Sequence, residues 1–268
     1  MSDAPFLPRQ PDPHRICGPA PVRALFLRRP QQVLRLFYTE EWRRLAGPFC
    51  KHLARSRRPY REVGPEELTR IAGTQHHGGI CAVAVARFAE PLPGHALPPN
   101  LPQARLLPVL DGIGNPHNLG AIARSAAFFG SRALLLSGDP RQADLSDAAF
   151  RTAEGGLEHL EVLRARDLAN LLKGMRTRFL TVAAVAAGGA PPEAIPRDRP
   201  IALVLGNEEQ GMPQATLDAC EARITLPGSG RVESLNVAQA AAVLFHALGA
   251  ASPRAAAAPR PTVAGSPA

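Results

Sequence analysis

Apolar and polar positions fall into two patterned blocks, and each block switches between the strand period and the helix period. In the first, Val33–Tyr38 and Tyr60–Val63 predict strands, and the ICAVAVAR run at Ile80–Arg87 is apolar and β-branched enough for a central strand. Helices are predicted at Pro21–Arg29, Thr39–Ala54 and Pro65–Gly73. The middle one opens on Thr39 as a cap, with Glu40 and Glu41 in its first turn. Residues 15–87 therefore form a small α/β sandwich. The second block, 105–249, predicts strands at Leu106–Leu110, Ala133–Ser137, Leu160–Leu163, Phe179–Ala183, Ile201–Leu205 and Arg223–Leu226. Helices are predicted at Leu119–Phe129, Asp144–Thr152, Asp167–Gly174 and Val237–Leu248. This alternation means a mostly parallel sheet covered on both faces. Ligands of such sheets sit beyond the carboxyl ends of the strands. The polar turns after Leu110, Leu205 and Leu226 are expected to converge on one crevice.

Three segments carry no such pattern. Residues 1–14 hold four prolines and predict a disordered arm. Residues 88–104 (FAEPLPGHALPPNLPQA) hold five prolines and predict a semi-rigid linker. Residues 250–268 are a low-complexity tail of Ala, Pro, Ser and Gly with two arginines. The net charge of +8 divides unevenly: +7 over 1–104, −1 over 105–249 and +2 in the tail. An anionic partner is thus expected to be gripped by the first block. Of 31 basic residues only Lys51 and Lys173 are lysines. Arginine contacts phosphate bidentately and stacks on bases, which suits nucleic acid, although a GC-rich genome gives the same bias. Cys17, Cys50, Cys81 and Cys220 show no metal-ligand spacing and are too few for a disulfide scaffold. Free thiols in a reducing cytoplasm, and no metal, are expected. The beginning of the chain has no apolar signal-peptide core, and no apolar run is long enough to span a membrane.

Three turns carry candidate chemistry. In Asp111–Arg124, Asn115-Pro116 forces a turn, Asn118 is placed to cap a helix starting at Leu119, and Arg124 points back along that helix toward Asn118. The Gly112-x-Gly114 piece is not a dinucleotide fingerprint, because position 117 is histidine. In the second turn, Gly206 after the strand Ile201–Leu205 admits close backbone approach of a ligand. Glu208 and Glu209 follow, placed to hold a ribose hydroxyl or a cation. In the third, Thr225–Val237, Ser234 and Asn236 stand at the mouth of an Ala-rich helix.

Together and in order, NPHNLGAIARSAAFFG (115–130), LVLGNEEQGM (203–212) and LPGSGRVESLNVAQAAAV (226–243) resemble the three motifs of the SpoU (TrmH) family of RNA ribose methyltransferases. The first block more loosely resembles that family's ribosomal-protein-like substrate-binding domain, through ICGPAPVRALF (16–26) and HHGGICAV (76–83). The resemblance implies a SPOUT-type α/β fold, a parallel sheet with a C-terminal trefoil knot. It implies S-adenosyl-L-methionine bound bent in the knot, a homodimer, and methyl transfer to a ribose 2′-hydroxyl of rRNA or tRNA. Carried over residue by residue, it makes Asn118, Arg124, Glu208, Ser234 and Asn236 catalytic. Gly206, Leu226 and Leu235 then hold the donor through their backbone. The chain departs from the family pattern at Asn115, where many members have Asp, and at Gly228, where many have Met.

A direct in-line transfer needs no covalent intermediate, so Cys220 has no nucleophilic role. A guanidinium keeps its proton at physiological pH, so Arg124 is expected to orient the hydroxyl and hold a neighbouring phosphate rather than act as base. Glu208 is expected to order Arg124 or Asn118. The alternative is a catalytically silent RNA-binding or ribosome-assembly protein on the same fold, which methyl incorporation into RNA separates. A nucleotide-dependent oxidoreductase is disfavoured by the broken glycine fingerprint.

Overall fold

The computed structural model describes residues 12–93, 97–99, 101 and 104–249. The expected arm falls outside these residues over 1–11, and the expected tail falls outside them entirely. The first block contains β1 (His14–Cys17), α1 (Pro19–Arg28), β2 (Val33–Tyr38), α2 (Arg43–Arg55), β3 (Tyr60–Glu62), α3 (Pro65–Ala72) and β4 (Ile80–Ala84). Its four-stranded sheet has the order β1-β4-β2-β3, with β4 antiparallel to both neighbours and β2 parallel to β3. Strand β1 begins at His14, inside the segment expected to be an arm. Its four residues are too few to show a period, and pairing with β4 holds them. Thr39 does not cap α2. Its hydroxyl instead donates to the Gly79 carbonyl, and a 3-10 turn at Glu40–Trp42 leads into the helix.

The second block continues with β5 (Glu90–Pro91), β6 (Leu106–Asp111), α4 (Pro116–Phe128), β7 (Ala133–Ser137), α5 (Asp147–Thr152) and β8 (Glu161–Ala165). Then follow α6 (Leu168–Met175), β9 (Leu180–Ala184), β10 (Ile201–Gly206), α7 (Gln214–Ala219), β11 (Ala222–Ile224) and α8 (Val237–Gly249). The seven-stranded sheet has the order β11-β9-β10-β6-β7-β8-β5, and every recorded strand pair is parallel. Its central strands β6, β7 and β10 are apolar almost throughout because helices cover both faces. The proline-rich segment is not a free linker. Glu90–Pro91 adds an edge strand to β8, and Leu92, Leu97 and Leu101 are buried against the sheet. Leucines spaced between the prolines supply the apolar anchor.

Helix α4 lies on one face of this sheet, flanked by α5 and α8. Gly120 lets α5 come close: a Cβ there would stand 2.5 Å from the Ala149 carbonyl oxygen and 2.8 Å from the Thr152 Cβ. The two blocks pack directly on each other. Phe150 of α5 is buried between the His14 ring, 5.1 Å away, and the Arg29 guanidinium, 5.6 Å away. Glu158 follows α5 in a 3-10 turn, Gly156–His159. Its side chain is 1 % exposed and receives Arg29 through Nε at 2.7 Å and Nη2 at 2.9 Å. Arg87 stands 3.8 Å from the same carboxylate and donates to the carbonyls of Leu157 and Leu160. Burial lowers the Arg87 pKa, and the charge of Glu158 works against that shift. His14 bridges the blocks as well, with its ring 3.1 Å from Asp147 and 3.2 Å from the Arg87 carbonyl.

Candidate active site

Helix α4 starts at Pro116, and its cap is Asn115, whose side-chain oxygen accepts from the His117 amide at 2.8 Å. The expected cap at Asn118 is therefore corrected. A proline at the first helical position places the cap one residue earlier. Asparagine fills the role an aspartate would fill there, because either oxygen accepts the helix N–H. Asn118 is thus freed from capping, and its amide projects from the first turn of α4.

That amide joins the three turns. Asn118 Nδ2 donates to Glu208 Oε1, from the turn after β10. Asn118 Oδ1 accepts from Asn236 Nδ2 at 3.3 Å, from the entry to α8. Asn236 also caps α8, with its Oδ1 accepting from the Ala238 amide at 2.9 Å. The Glu208–Asn118–Asn236 chain fixes which end of each amide faces which neighbour. Of the two partners proposed for Glu208, the structure supplies Asn118.

Asn207, which the sequence did not single out, builds the turn that carries Glu208. Its Oδ1 accepts from the amides of Glu209 and Gln210, both at 3.0 Å. Its Nδ2 donates to the Gly112 carbonyl at 2.9 Å, tying this turn to the one after β6. An asparagine directly after a strand, followed by polar residues, is the signal that marks such a turn. Gly206 makes room for the turn itself: a Cβ there would lie 2.5 Å from Met212 Cγ and 3.0 Å from the Met212 nitrogen. The space expected for a ligand at this Cβ position is filled by Met212.

Beyond the carboxyl ends of β9, β10 and β11 lies a cavity of about 970 Å³. Gly206, Glu208, Leu226, Gly228, Ser234 and Leu235 are among its lining residues. Leu205, Ile224, Val237 and Leu244 give it an apolar floor. A Cβ on Gly228 would meet nothing within 4 Å, so the departure from Met leaves open space at the rim. The turn after β6 does not line the cavity; it reaches the site through Asn118 and through Gly112. The turn after β9, residues 184–188, lines it instead.

Arg124 lies elsewhere on α4. It is exposed, does not line the cavity, and its side chain makes no hydrogen bond or ion pair among the described residues. It does not reach Asn118. Cys220 is partly buried, and burial pushes its thiol up to about 12, so it stays protonated at neutral pH and is a poor nucleophile. Among the described residues no group of three or more His, Cys, Asp or Glu stands where it could hold a metal ion. No helix among them is long and apolar enough to cross a membrane.

Comparison with known proteins agrees with this geometry. Residues 105–246 match the SpoU rRNA methylase family, and residues 15–88 match the RNA 2′-O ribose methyltransferase substrate-binding family. The protein described as "Uncharacterized tRNA/rRNA methyltransferase YfiF" from Escherichia coli O157:H7 is 32 % identical over 232 residues, which cover 86 % of this chain and 66 % of that protein. The 23S rRNA (guanosine-2′-O-)-methyltransferase RlmB of Ralstonia nicotianae is 36 % identical over 191 residues, covering 68 % of this chain and 74 % of that one. The chain thus spans just under two thirds of YfiF. The crystal structure of the SpoU methyltransferase AviRb from Streptomyces viridochromogenes, in complex with AdoMet, shares the fold with a TM-score of 0.69 at 20 % identity, over 89 % of this chain and 90 % of that one. With its family signature matched over more than half its length and its three motif turns joined by the Glu208–Asn118–Asn236 bonds, this chain belongs to the SpoU rRNA methylase family.

Proposed function

We propose that the chain catalyses transfer of the methyl group of S-adenosyl-L-methionine to a ribose 2′-hydroxyl of rRNA or tRNA. The observation that carries this reading is the Glu208–Asn118–Asn236 chain, which reaches the cavity beyond β9, β10 and β11 through Glu208. A cavity of about 970 Å³ is at the upper end of the range for small-molecule sites. Its apolar floor suits the adenine and the aliphatic part of the donor. The backbones of Gly206, Leu226 and Leu235 are placed to hold the donor. The resemblance also carries a trefoil knot, and we place its crossing at the loops that line this cavity. When bound, the donor supplies a methyl group on a positively charged sulfur. The chain's own contribution is then mainly positioning. Asn118, held by Glu208 and Asn236, presents a fixed amide, and Ser234 adds a hydroxyl at the rim. Arg124 does not line this cavity within its own chain, so its role in orienting the ribose hydroxyl and the adjacent phosphate requires the second copy proposed below.

We also propose that the working unit is a homodimer. On α4 Phe128 is 79 % exposed and on α8 Val243 is 47 % exposed, apolar side chains that a second copy would cover. Arg124 lies on α4 between Asn118 and Phe128, so this arrangement would bring it to the shared face. Sedimentation at micromolar concentration should give a dimer; a monomer would rule out this arrangement. All four cysteines are free, which fits a reducing cytoplasm. The experiment that tests the function is a map of 2′-O-methyl positions in rRNA and tRNA from a deletion strain beside its parent. The reading expects one or a few positions to disappear, and identical maps would refute it.

A further inference from the structure

A cationic crevice lies where the two blocks meet. It measures about 640 Å³, and its walls include Arg28, Arg29, Arg87, Arg132, Glu158 and Glu161. Four guanidiniums face two carboxylates there, a surplus of two positive charges. The surplus can be assigned to particular residues. Arg29 is spent on Glu158, on Gln32 and on the Val85 carbonyl. Arg87 is spent on the carbonyls of Leu157 and Leu160 and on the charge of Glu158. Arg28 and Arg132 are exposed, and their side chains make no hydrogen bond or ion pair among the described residues. They come from different blocks: Arg28 ends α1, and Arg132 precedes β7.

We propose that Arg28 and Arg132 hold a backbone phosphate of the RNA in this crevice. The proposal rests on the RNA substrate argued above and extends it to a place. A guanidinium presents a planar fork that matches phosphate oxygens, and two unpaired forks lining one crevice can share one phosphate. The walls are pre-organised, because the Glu158 clamp behind them holds the two blocks together. The crevice also adjoins the helix that carries Asn118. The 3-10 turn that carries Glu158 packs on the backbone of α4 at Arg124: a Cβ on Gly156 would stand 2.9 Å from Arg124 Cα. From Gly156 to His159 that turn advances roughly 6 Å, at about 2 Å per residue. The turn that lines the crevice therefore abuts α4, the helix that also carries Asn118.

The test uses the full chain with Arg28→Gln, Arg132→Gln and the double variant. Binding of a labelled rRNA transcript is followed by anisotropy across a salt series, beside donor affinity by calorimetry. Each single change should weaken RNA binding several-fold and flatten log K against log salt by part of one phosphate contact. The double variant should lose that contact entirely, a slope change of about 0.7–0.9, with donor affinity and melting temperature unchanged because both residues are exposed. An unchanged affinity and slope in the double variant would overturn the proposal while leaving the methyltransferase reading intact. A wild-type chain that binds no RNA would overturn both. A third arm titrates inorganic phosphate. If phosphate binds and is lost in the double variant while RNA affinity is unaffected, the crevice serves a free phosphate and the RNA assignment is wrong.

Discussion

Replacing Asn118 by Asp keeps the size of the side chain and changes one thing. The group that donates to Glu208 becomes an acceptor facing an acceptor, while the contact with Asn236 survives. A hydrogen bond to a charged partner contributes about 1.5–3 kcal/mol. Losing it corresponds to about a 10- to 150-fold loss in rate, if the bond persists in the transition state. Asn118→Ala should show that loss without the repulsion, together with loss of the Asn236 contact. Asn118→Asp adds repulsion, about 1 kcal/mol for charges 4 Å apart in water and about 4 kcal/mol near a protein surface. The lower figure applies because Glu208 is exposed, giving roughly a further fivefold. The sign with pH is opposite to that of an ordinary carboxylate. Two facing carboxylates share a proton, so the pair's second deprotonation is raised above the usual range. Below that point the protonated pair restores a donor between residues 118 and 208. Activity of the Asp variant should therefore be highest at acid pH and fall as pH rises, while the Ala variant shows no such recovery. The assay is single-turnover methyl transfer from pH 5 to 8, normalised to the native chain at each pH. An Asp variant that follows the Ala variant at every pH would show that the Asn118–Glu208 bond does not serve the reaction.

Arg124→Lys should lose most of the activity and Arg124→Ala little more, because a point charge does not reproduce a two-donor fork; donor affinity by calorimetry should be unchanged in both. Gly206→Ala drives a Cβ into Met212 and into the backbone of the turn, so donor affinity should fall, and an unaltered affinity would mean that the turn does not shape the donor site. Glu158→Gln leaves Arg29 and Arg87 without a counter-charge in the domain junction, and breaking a buried pair costs about 3–5 kcal/mol; Arg29 is 11 % exposed and Glu158 1 %, so a loss under about 1 kcal/mol in denaturation would show the junction to be hydrated. With its thiol at about 12, Cys220 should be only about one part in ten thousand thiolate at pH 8, so it should resist alkylation in the native chain, and Cys220→Ser should keep full activity.

The parallel sheet was legible because its central strands are buried on both faces. LLPVL at 106–110, ALLLS at 133–137 and IALVL at 201–205 are nearly continuous apolar runs ended by turn residues. Strand β1 and helix α7, of four and six residues, were not legible, because neither spans enough residues to show a period. The strand at 90–91 was masked by its own prolines. Its place in the sheet depends on tertiary contact, through Leu92, Leu97 and Leu101. In the site, the three turns were found, and the cap at Asn115 was misplaced although Pro116 marked it. The Glu208–Asn118–Asn236 chain joins residues 90 and 118 positions apart, and no local pattern encodes which side chains meet across such distances. The Arg29–Glu158 contact, 129 positions apart, is of the same kind.

The central claim is that this chain methylates a ribose oxygen of RNA. The most direct test incubates the purified chain with methyl-labelled S-adenosyl-L-methionine and rRNA or tRNA lacking the chain's own modifications, digests the product to nucleosides, and locates the label. The account predicts label in a 2′-O-methylnucleoside, lost with Asn118→Ala. Label on a base, or donor binding without any transfer to either RNA, would contradict it.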